Sequence, residues 1–355
     1  MKDQPGRGER LLILGTTSLA DEIVTHIDRV RDRRHRLVGT LAEDHLSHLA
    51  AVIEQRRPQR IVVALAERRG SLPIRELLDC YASRGIVVEE ATQFYERLTG
   101  RLALESMSPM SIIASQRAAS RVHPLLARIV SLAVACVCIV VFAPLLALIA
   151  IAIKLDSPGP VLFRQRRVGA RGRPFTLLKF RTMQDGQRTS EWEADNHHRV
   201  TRVGRLLRHV RLDELPQFIN ILRGEMNLVG PRPHPVSNLE LFTLVARNLN
   251  DLTGVAISCY ALRLMVPPGM TGWAQVRYRY ANNLDEEIEK LRYDLYYIKH
   301  MTPWMDLRIL LETFRVIVFR PRVVPPAPSA EDRRTDLEQA PGPTRVSTDA
   351  SRLTT

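Results

Sequence analysis

The sequence predicts an α/β chain in three parts: a parallel-sheet domain, a membrane-embedded helical hairpin, and a mostly helical α+β domain with amphipathic helices at the membrane interface. Three observations predict it. Strand and helix patterns alternate at short spacing over residues 10–110. An uncharged run of 25 residues, Ile129–Ile153, is interrupted by Pro144. Arginine-rich segments with tight Gly-Pro turns fill residues 154–320. Residues 1–9 are polar and residues 321–355 are rich in Pro, Ser, Thr and charge, so both ends are expected to be disordered. The start, MKDQPGRGER, carries no apolar signal-peptide core.

In the first domain, Leu11–Gly15 reads as a buried strand and Ser18–Val30 as a helix. Leu37–Thr40, Ile61–Ala66 and Ile86–Val88 follow as strands, with helices at Leu46–Gln55 and Ile74–Ser83 between them. This alternation predicts a Rossmann-like parallel sheet. Gly15 is followed by Thr16, Thr17, Ser18, Leu19 and Ala20, so the further glycines of a dinucleotide fingerprint are missing. Gly15 is therefore read as the strand-to-helix turn, not as an NAD site.

Residues 111–128 read as a basic linker. The apolar run follows. A straight helix of its length would be about 37 Å long, enough to cross a core of about 30 Å. Pro144 removes a backbone hydrogen bond and bends the helix. The two arms would then be about 22 and 14 Å long, each too short to span. Both flanks are basic: Arg117, Arg121 and Arg128 precede the run, and Lys154, Arg164, Arg166, Arg167, Arg171 and Arg173 follow it, with Asp156 the lone acid between. Basic flanks mark cytosolic ends. A re-entrant hairpin over 129–153 satisfies both flanks; a kinked spanning helix is the competing reading.

In the second domain, Val161–Phe163 and Phe175–Phe180 are short strands around a Gly/Arg turn. Lys179 and Arg181 would share one strand face, which suits a phosphate. Residues 184–199 read as a polar loop, with His197 and His198 solvated rather than metal-binding. Leu215, Phe218, Ile219 and Leu222 recur at helical spacing, with Pro216 in the first turn. The adjacent acids Asp213 and Glu214 thus fall at a helix N-terminus, among Arg202, Arg205, Arg208, Arg211, Arg223 and Arg232. A positive helix pole suits phosphate; an isolated pair of this kind is also compatible with simple capping. Gly230-Pro231-Arg232-Pro233 and Pro268–Gln275 are two tight turns. Leu284–His300 is a charged amphipathic helix containing Asp294. Trp304–Phe319 fits either a membrane-interface helix or core packing.

Net charge is +13, which calls for anionic partners. Aromatic residues make up only 6% of the chain, which argues against a base-stacking surface, and nucleic acid would not explain the apolar run. Of the four cysteines, Cys80 and Cys259 are isolated and Cys136 and Cys138 lie in the apolar run. Their spacing fits neither zinc nor a disulfide framework, and a reducing cytosolic setting suits them.

Lys154–Met183, Thr201–Pro233, Pro268–Val276 and Tyr293–Lys299 together resemble the bacterial sugar transferases, monotopic polyprenyl-phosphate hexose-1-phosphate transferases with a re-entrant membrane helix. LLILGTTSLA, RRGSLPIRELLDC and FYERLTGRLALESM resemble the Rossmann-like domain of the exopolysaccharide-associated members. The resemblance implies a transferase that moves a sugar 1-phosphate from a nucleotide diphosphate sugar, expected to be a UDP-sugar, to polyprenyl (undecaprenyl) phosphate. It implies Asp213 as nucleophile and Glu214 as its Mg²⁺-binding or acid–base partner, Mn²⁺ being an alternative ion. It implies phosphate-binding roles for Arg208 and Arg232, with Lys179 and Arg181 beside them, and supporting roles for Asp294 and Gln217. The implied setting is the cytosolic face of a bacterial inner membrane, among membrane lipids, without nucleic acid; a homo-oligomer is compatible with it. Larger members begin with several transmembrane helices, and this chain has none before residue 129. The family's membrane helix carries an Asp where this chain has Ser131, and its break is often Ser-Pro where this chain has Ala143-Pro144.

The chemistry explains the residue types. A carboxylate attacking a diphosphate is repelled unless charge is neutralised, and arginine and a divalent cation supply that neutralisation. Two other functions fit the sequence less well. A membrane-tethered scaffold of polysaccharide assembly would have no need of the intact LDELPQ segment. An NAD-dependent epimerase would need a fuller glycine fingerprint and a Tyr-x-x-x-Lys pair, and residues 10–110 have neither.

Overall fold

The apolar strand near the start lies in the middle of a sheet, where both faces are covered and every position must be apolar. The computed structural model describes residues 8–30, 34–65, 72–106, 122–184, 199–237, 259–278 and 284–319. The segments 1–7, 107–121 (with Arg117 and Arg121), 185–198 (with His197 and His198) and 320–355 lie outside the described residues, and so do the expectations that fall on them. β1 (Glu9–Leu14) pairs in parallel with β2 (His35–Leu41) and β3 (Arg60–Val63), and β3 pairs in parallel with β4 (Val87–Glu90). The strand order is β2-β1-β3-β4. Leu11 and Ile13 enter one core with α1 (Ser18–Val30) and α4 (Ala91–Thr99). Leu12 and Leu14 enter the other with α2 (Leu49–Arg56) and α3 (Ile74–Arg84). The expected helix at 46–55 is split, a 3₁₀ turn at Glu43–His48 preceding α2. The sequence pattern gave no sign of α4, whose Phe94 and Tyr95 fill the first core. Gly15 makes the turn after β1 at φ +106°, and a Cβ there would lie 2.2 Å from the Ala64 carbonyl oxygen. Both facts require glycine.

Shortly before the boundary expected near residue 110, one segment serves both cores. Leu102 and Leu104 are buried in the core of the second domain, while Ala103 between them faces the first. Extended backbone alternates its side chains, so one short segment seals both cores. The Trp273 indole Nε1 donates to the Gly100 carbonyl at 2.7 Å, and Leu102 N donates to the Arg292 carbonyl at 3.2 Å. Buried Glu96 accepts from Lys299 Nζ at 2.8 Å and contacts His300 Nε2 at 3.1 Å.

The apolar helix, α5 (Val122–Asp156), is longer than the uncharged run. The last seven residues of the expected linker are helical because their polar groups find partners. His123 Nε2 meets Asp306 Oδ2 at 3.0 Å, and Arg128 Nη1 donates to the Met226 carbonyl at 3.0 Å. α5 runs as one helix through Pro144. Its first arm packs Ala135, Cys138 and Ile139 into the second-domain core. Its second arm packs Leu145, Leu146, Ile149 and Ile153 against Phe180 and Leu207. Between them, Val140 to Pro144 are exposed without interruption.

After α5, β5 (Leu162–Val168) and β6 (Pro174–Phe180) form an antiparallel ribbon. β5 runs further than expected, through Arg164–Arg167. Then come α6 (Arg202–His209), a 3₁₀ turn at Leu212–Glu214 and α7 (Gln217–Leu222). β7 (Asn227–Val229) and β8 (Gly269–Thr271) pair in parallel. α8 (Trp273–Arg277), α9 (Leu284–Lys299) and α10 (Pro303–Phe319) close the domain. α10 packs Met305 and Ile309 into the core, as one of its two expected readings requires, while Trp304 (74% exposed), Leu311 and Phe314 are exposed.

Candidate active site

The site is assembled on β6 and the turn before α7, and one side chain joins them. Asn220 of α7 is fully buried. Its Oδ1 accepts from Leu178 N at 3.0 Å, and its Nδ2 donates to the Thr176 carbonyl at 2.7 Å and to Glu225 Oε2 at 2.6 Å. The open edge of a two-stranded ribbon is thereby satisfied, which a buried backbone demands. The clamp brings Lys179 of β6 to the acidic pair.

Asp213 and Glu214 lie in the 3₁₀ turn and not at the start of the next helix. Pro216 caps α7, so the acids sit nearly one turn earlier than the sequence pattern places them. Arg211, just before the turn, has φ +60°, a left-handed conformation uncommon outside glycine and often found at functional sites. It reverses the chain after α6, and both carboxylates that follow are buried.

Glu214 Oε1 accepts from Lys179 Nζ at 2.9 Å and from Arg232 Nη2 at 3.4 Å. Burial alone would raise the pKa of Glu214. Lys179 and Arg232 outweigh burial and hold it well below the usual carboxylate range, so the group stays ionised. Asp213 differs. Burial raises its pKa, against the pull of Lys179, Arg211 and Arg208. Its Oδ1 is buried and has no hydrogen-bond partner. Buried polar atoms are normally satisfied, so an orphan acceptor needs an explanation. An uncommitted carboxylate oxygen surrounded by cations is suited to attack phosphorus or to ligate a hard cation. Among the described residues no group of three His, Cys, Asp or Glu side chains could hold a metal. A magnesium ion, however, needs only one or two carboxylates when substrate phosphates complete its shell. The orphan Asp213 Oδ1 beside Glu214 meets that requirement.

Arg232 reaches Glu214 from the Gly-Pro turn, and the two turns seen in the sequence meet in space. Gly230 N donates to the Thr271 carbonyl at 3.0 Å, and Gly269 N donates to the Pro231 carbonyl at 2.9 Å. A Cβ on Gly269 would lie 2.1 Å from Gly230 N, so the two backbones touch only because both residues lack side chains. Arg263 locks the result. Its Nη2 donates to the Arg232 carbonyl at 2.5 Å, and its Nε donates to Asp294 Oδ2 at 2.7 Å. Asp294 thus acts on Arg232 through Arg263 and has no hydrogen bond to either acid.

The other expected residues divide. Arg208 Nε donates to Thr182 Oγ1 at 2.8 Å, and its charge favours the ionised form of Asp213. Gln217 is buried at the start of α7. Arg181 departs from its expected place on the phosphate face. It lies just past β6, buried, and donates to the Ser157 carbonyl at 2.7 Å and the Pro158 carbonyl at 2.8 Å. The carbonyls where α5 ends need donors, and a guanidinium just beyond β6 supplies them. Lys179 and Arg181 therefore do different work despite their shared strand parity.

Sequence reasoning missed Asn220, Arg263 and the bridging role of Ser131. Ser131 donates its hydroxyl to the Ala127 carbonyl at 2.6 Å and accepts from Leu228 N at 3.0 Å, tying α5 to β7. Asn220 and Ser131 each interrupt an apolar pattern, which is the signal that could have found them. Arg263 carries the same signal, as the lone charge in the apolar run VAISCYALRLMV, and its contacts give it a role.

A profile of the bacterial sugar transferase family matches residues 122–320. The chain is similar to the UDP-N-acetylgalactosamine-undecaprenyl-phosphate N-acetylgalactosaminephosphotransferase of Aeromonas hydrophila, 37% identical over 235 residues, covering 66% of this chain and 52% of that protein. It is similar to the UDP-glucose:undecaprenyl-phosphate glucose-1-phosphate transferase of Caulobacter vibrioides, 43% identical over 191 residues, covering 52% of this chain and 67% of that protein. It is also similar to the undecaprenyl-phosphate glucose phosphotransferase of Komagataeibacter xylinus, 30% identical over 330 residues, covering 87% of this chain and 59% of that protein. The matches span 52% to 67% of the length of these relatives.

Proposed function

Since the chain belongs to the bacterial sugar transferase family, we propose that it transfers a sugar 1-phosphate from a UDP-sugar to polyprenyl (undecaprenyl) phosphate, the first step of an exopolysaccharide or related glycoconjugate. The observation that carries the mechanism is the buried, unpartnered Oδ1 of Asp213 beside an ionised Glu214.

In the first half-reaction Asp213 Oδ1 attacks the phosphorus that bears the sugar. The phosphorus–oxygen bond of the diphosphate bridge breaks, and the nucleoside monophosphate leaves with the bridging oxygen. The sugar phosphate remains as an acyl phosphate on Asp213. In the second half-reaction an oxygen of polyprenyl phosphate attacks the same phosphorus. The acyl phosphate bond breaks, the carboxylate is restored, and polyprenyl diphosphate sugar departs. Arg208, Arg232 and Lys179 offset the charge that builds where phosphates meet a carboxylate. Glu214 holds Lys179 and Arg232 at that spot. Mg²⁺, or Mn²⁺ in its place, would be held by Glu214 with Asp213 and would neutralise diphosphate charge.

The acceptor accounts for the membrane helix. Both arms of α5 lean on one domain, and Leu215 packs against the core on either side. This supports a re-entrant reading in which α5 bends at Pro144 without breaking and both its ends lie on the cytosolic face of the inner membrane. The outward face of α10 then lies in the interface. The first domain is read as a Rossmann-like support.

The test is single-turnover incubation with a UDP-sugar in the absence of lipid. Wild-type protein should release nucleoside monophosphate and gain the mass of one sugar phosphate, located on Asp213 by peptide mapping. Turnover by a folded Asp213→Asn variant would remove the covalent step. For topology, single cysteines placed near positions 117 and 171 in a cysteine-free background should both resist an impermeant reagent outside intact cells; labelling of one end alone would establish a spanning helix.

A further inference from the structure

Positive charge is concentrated in the part of the second domain that follows α5. Across the described residues between 154 and 237, fifteen Lys and Arg face four Asp and Glu. All four acids are engaged close to the fold. Asp213 and Glu214 are buried in the site, Glu225 accepts from Asn220, and Asp156 Oδ2 accepts from Val203 N at 3.0 Å. Lys154, Arg202, Arg205 and Arg223 are exposed, and no ion pair among the described residues reaches them.

These four border the membrane helix. Lys154 is in the last turn of α5, and the Asp156 cap seats the start of α6, with Arg202, on that same end. Arg205 follows one turn later. At the other arm, the Arg223-Gly224 turn approaches Arg128: a Cβ on Gly224 would lie 3.6 Å from the Arg128 guanidinium. α6 turns Gly204 and Leu207 inward and sends Arg208 to Thr182 near the acidic pair. At 100° per residue, Arg202 and Arg205 lie roughly 170° and 130° from the midline of the buried Gly204–Leu207 face, so both open to solvent. Exposed apolar chains lie among the cations: Leu206 and Val210 by α6, Leu222 of α7, and Leu148, Ile151 and Leu155 of α5.

We propose that Lys154, Arg202, Arg205 and Arg223 form a collar that binds the headgroups of anionic phospholipids around the foot of the membrane helix. The inference rests on the membrane reading of α5. Water and small counterions would satisfy the cations but not the apolar side chains beside them. A bilayer satisfies both, burying the apolar chains and setting lipid phosphodiesters level with the cations. The occupant is the bilayer's own acidic lipid, because the cations stand among exposed apolar side chains at the foot of α5, which a lipid surface would cover and a soluble anion would not.

The experiment lets full-length protein, diluted from detergent, choose between two vesicle populations with different dyes. One is phosphatidylcholine, and the other is phosphatidylcholine with phosphatidylglycerol. Wild-type protein should favour the anionic vesicles, and added salt should erase the preference. Lys154→Gln/Arg202→Gln/Arg205→Gln should reduce the preference by roughly a hundredfold, at about fivefold per cation. It should leave nucleoside monophosphate release in detergent unchanged, since none of the three belongs to the site. Arg36→Gln/Arg56→Gln/Arg75→Gln, an equal charge change on exposed residues of the first domain, should leave the preference intact. Equal distribution of wild-type protein between the vesicles, or equal loss in the two triple variants, would overturn the collar alone. Wild-type protein that joins neither vesicle would overturn the membrane reading as well.

Discussion

Replacing Asp294 with Asn tests whether the GPRP turn is held by a buried ion pair. The side chains of Asp294 and Arg263 are 3% and 4% exposed, and their Oδ2 and Nε atoms lie 2.7 Å apart. Removing one charge leaves a guanidinium in the core without its counter-charge, which costs about 3–5 kcal/mol. For a domain of this size each kcal/mol moves the melting midpoint by roughly 2–4 °C, so the variant should melt about 6–20 °C below wild type. Catalysis should suffer separately, because Arg263 also holds the Arg232 carbonyl, and Arg232 meets Glu214. The control is Asp294→Leu/Arg263→Met, which replaces the pair by apolar groups of similar size. It should recover most of the stability but not the transfer rate, since Arg232 still lacks its donor. The assays are thermal denaturation in detergent followed by tryptophan fluorescence, and nucleoside monophosphate release from a UDP-sugar. An Asp294→Asn protein with a wild-type midpoint would refute the argument, as would a double variant with full transfer activity.

The two acids should respond to pH with opposite signs. Asp213 has a folded pKa above its ordinary value of 3.8, so its contribution to stability is full below that value and is lost as pH rises through the folded pKa. Asp213→Asn should therefore gain on wild type as pH climbs out of the acid range while losing transfer entirely. Glu214 has a depressed folded pKa, so its contribution is present above the ordinary carboxylate range and is lost as pH falls through the folded value. Glu214→Gln should cost about 3 kcal/mol at neutral pH, the low end for a broken buried pair, because Arg232 remains 32% exposed. Midpoints measured across pH for both variants decide the signs. Ser131→Ala leaves the buried Leu228 amide without its acceptor and should cost about 1–3 kcal/mol, seen as faster hydrogen exchange at that amide; unchanged protection would show that Ser131 does not bridge α5 to β7. A chain beginning at Gly100 should fold and transfer sugar phosphate without the first domain, whereas one beginning at Ala118 also loses Leu102 and Leu104 from the core and should melt lower. Equal midpoints for the two truncated chains would show that Leu102 and Leu104 add nothing to the second core.

Several features of this protein were determined by local sequence alone. A strand apolar at every position must be covered on both faces, so LLIL with its alternating helices specified the parallel sheet without reference to anything distant. An uncharged run as long as Ile129–Ile153 has few places to go but lipid or a large core, whatever follows it. The acidic pair could be singled out because its neighbours supply charge within a few residues along the chain. Tertiary structure decided what those residues do. Lys179 and Arg181 share strand parity, yet one meets Glu214 and the other caps the end of α5, because the 3₁₀ turn packs against β6 while the end of α5 lies just beyond it. Asp213 was placed at a helix N-terminus by periodicity, but the left-handed Arg211 and the proline cap put it in the turn before. No spacing rule joins Gly230 to Gly269 or Arg263 to Asp294, since these contacts cross more than thirty residues. Such pairs form because the fold brings their backbones close enough that only glycine fits, and buries their charges where only each other can answer them.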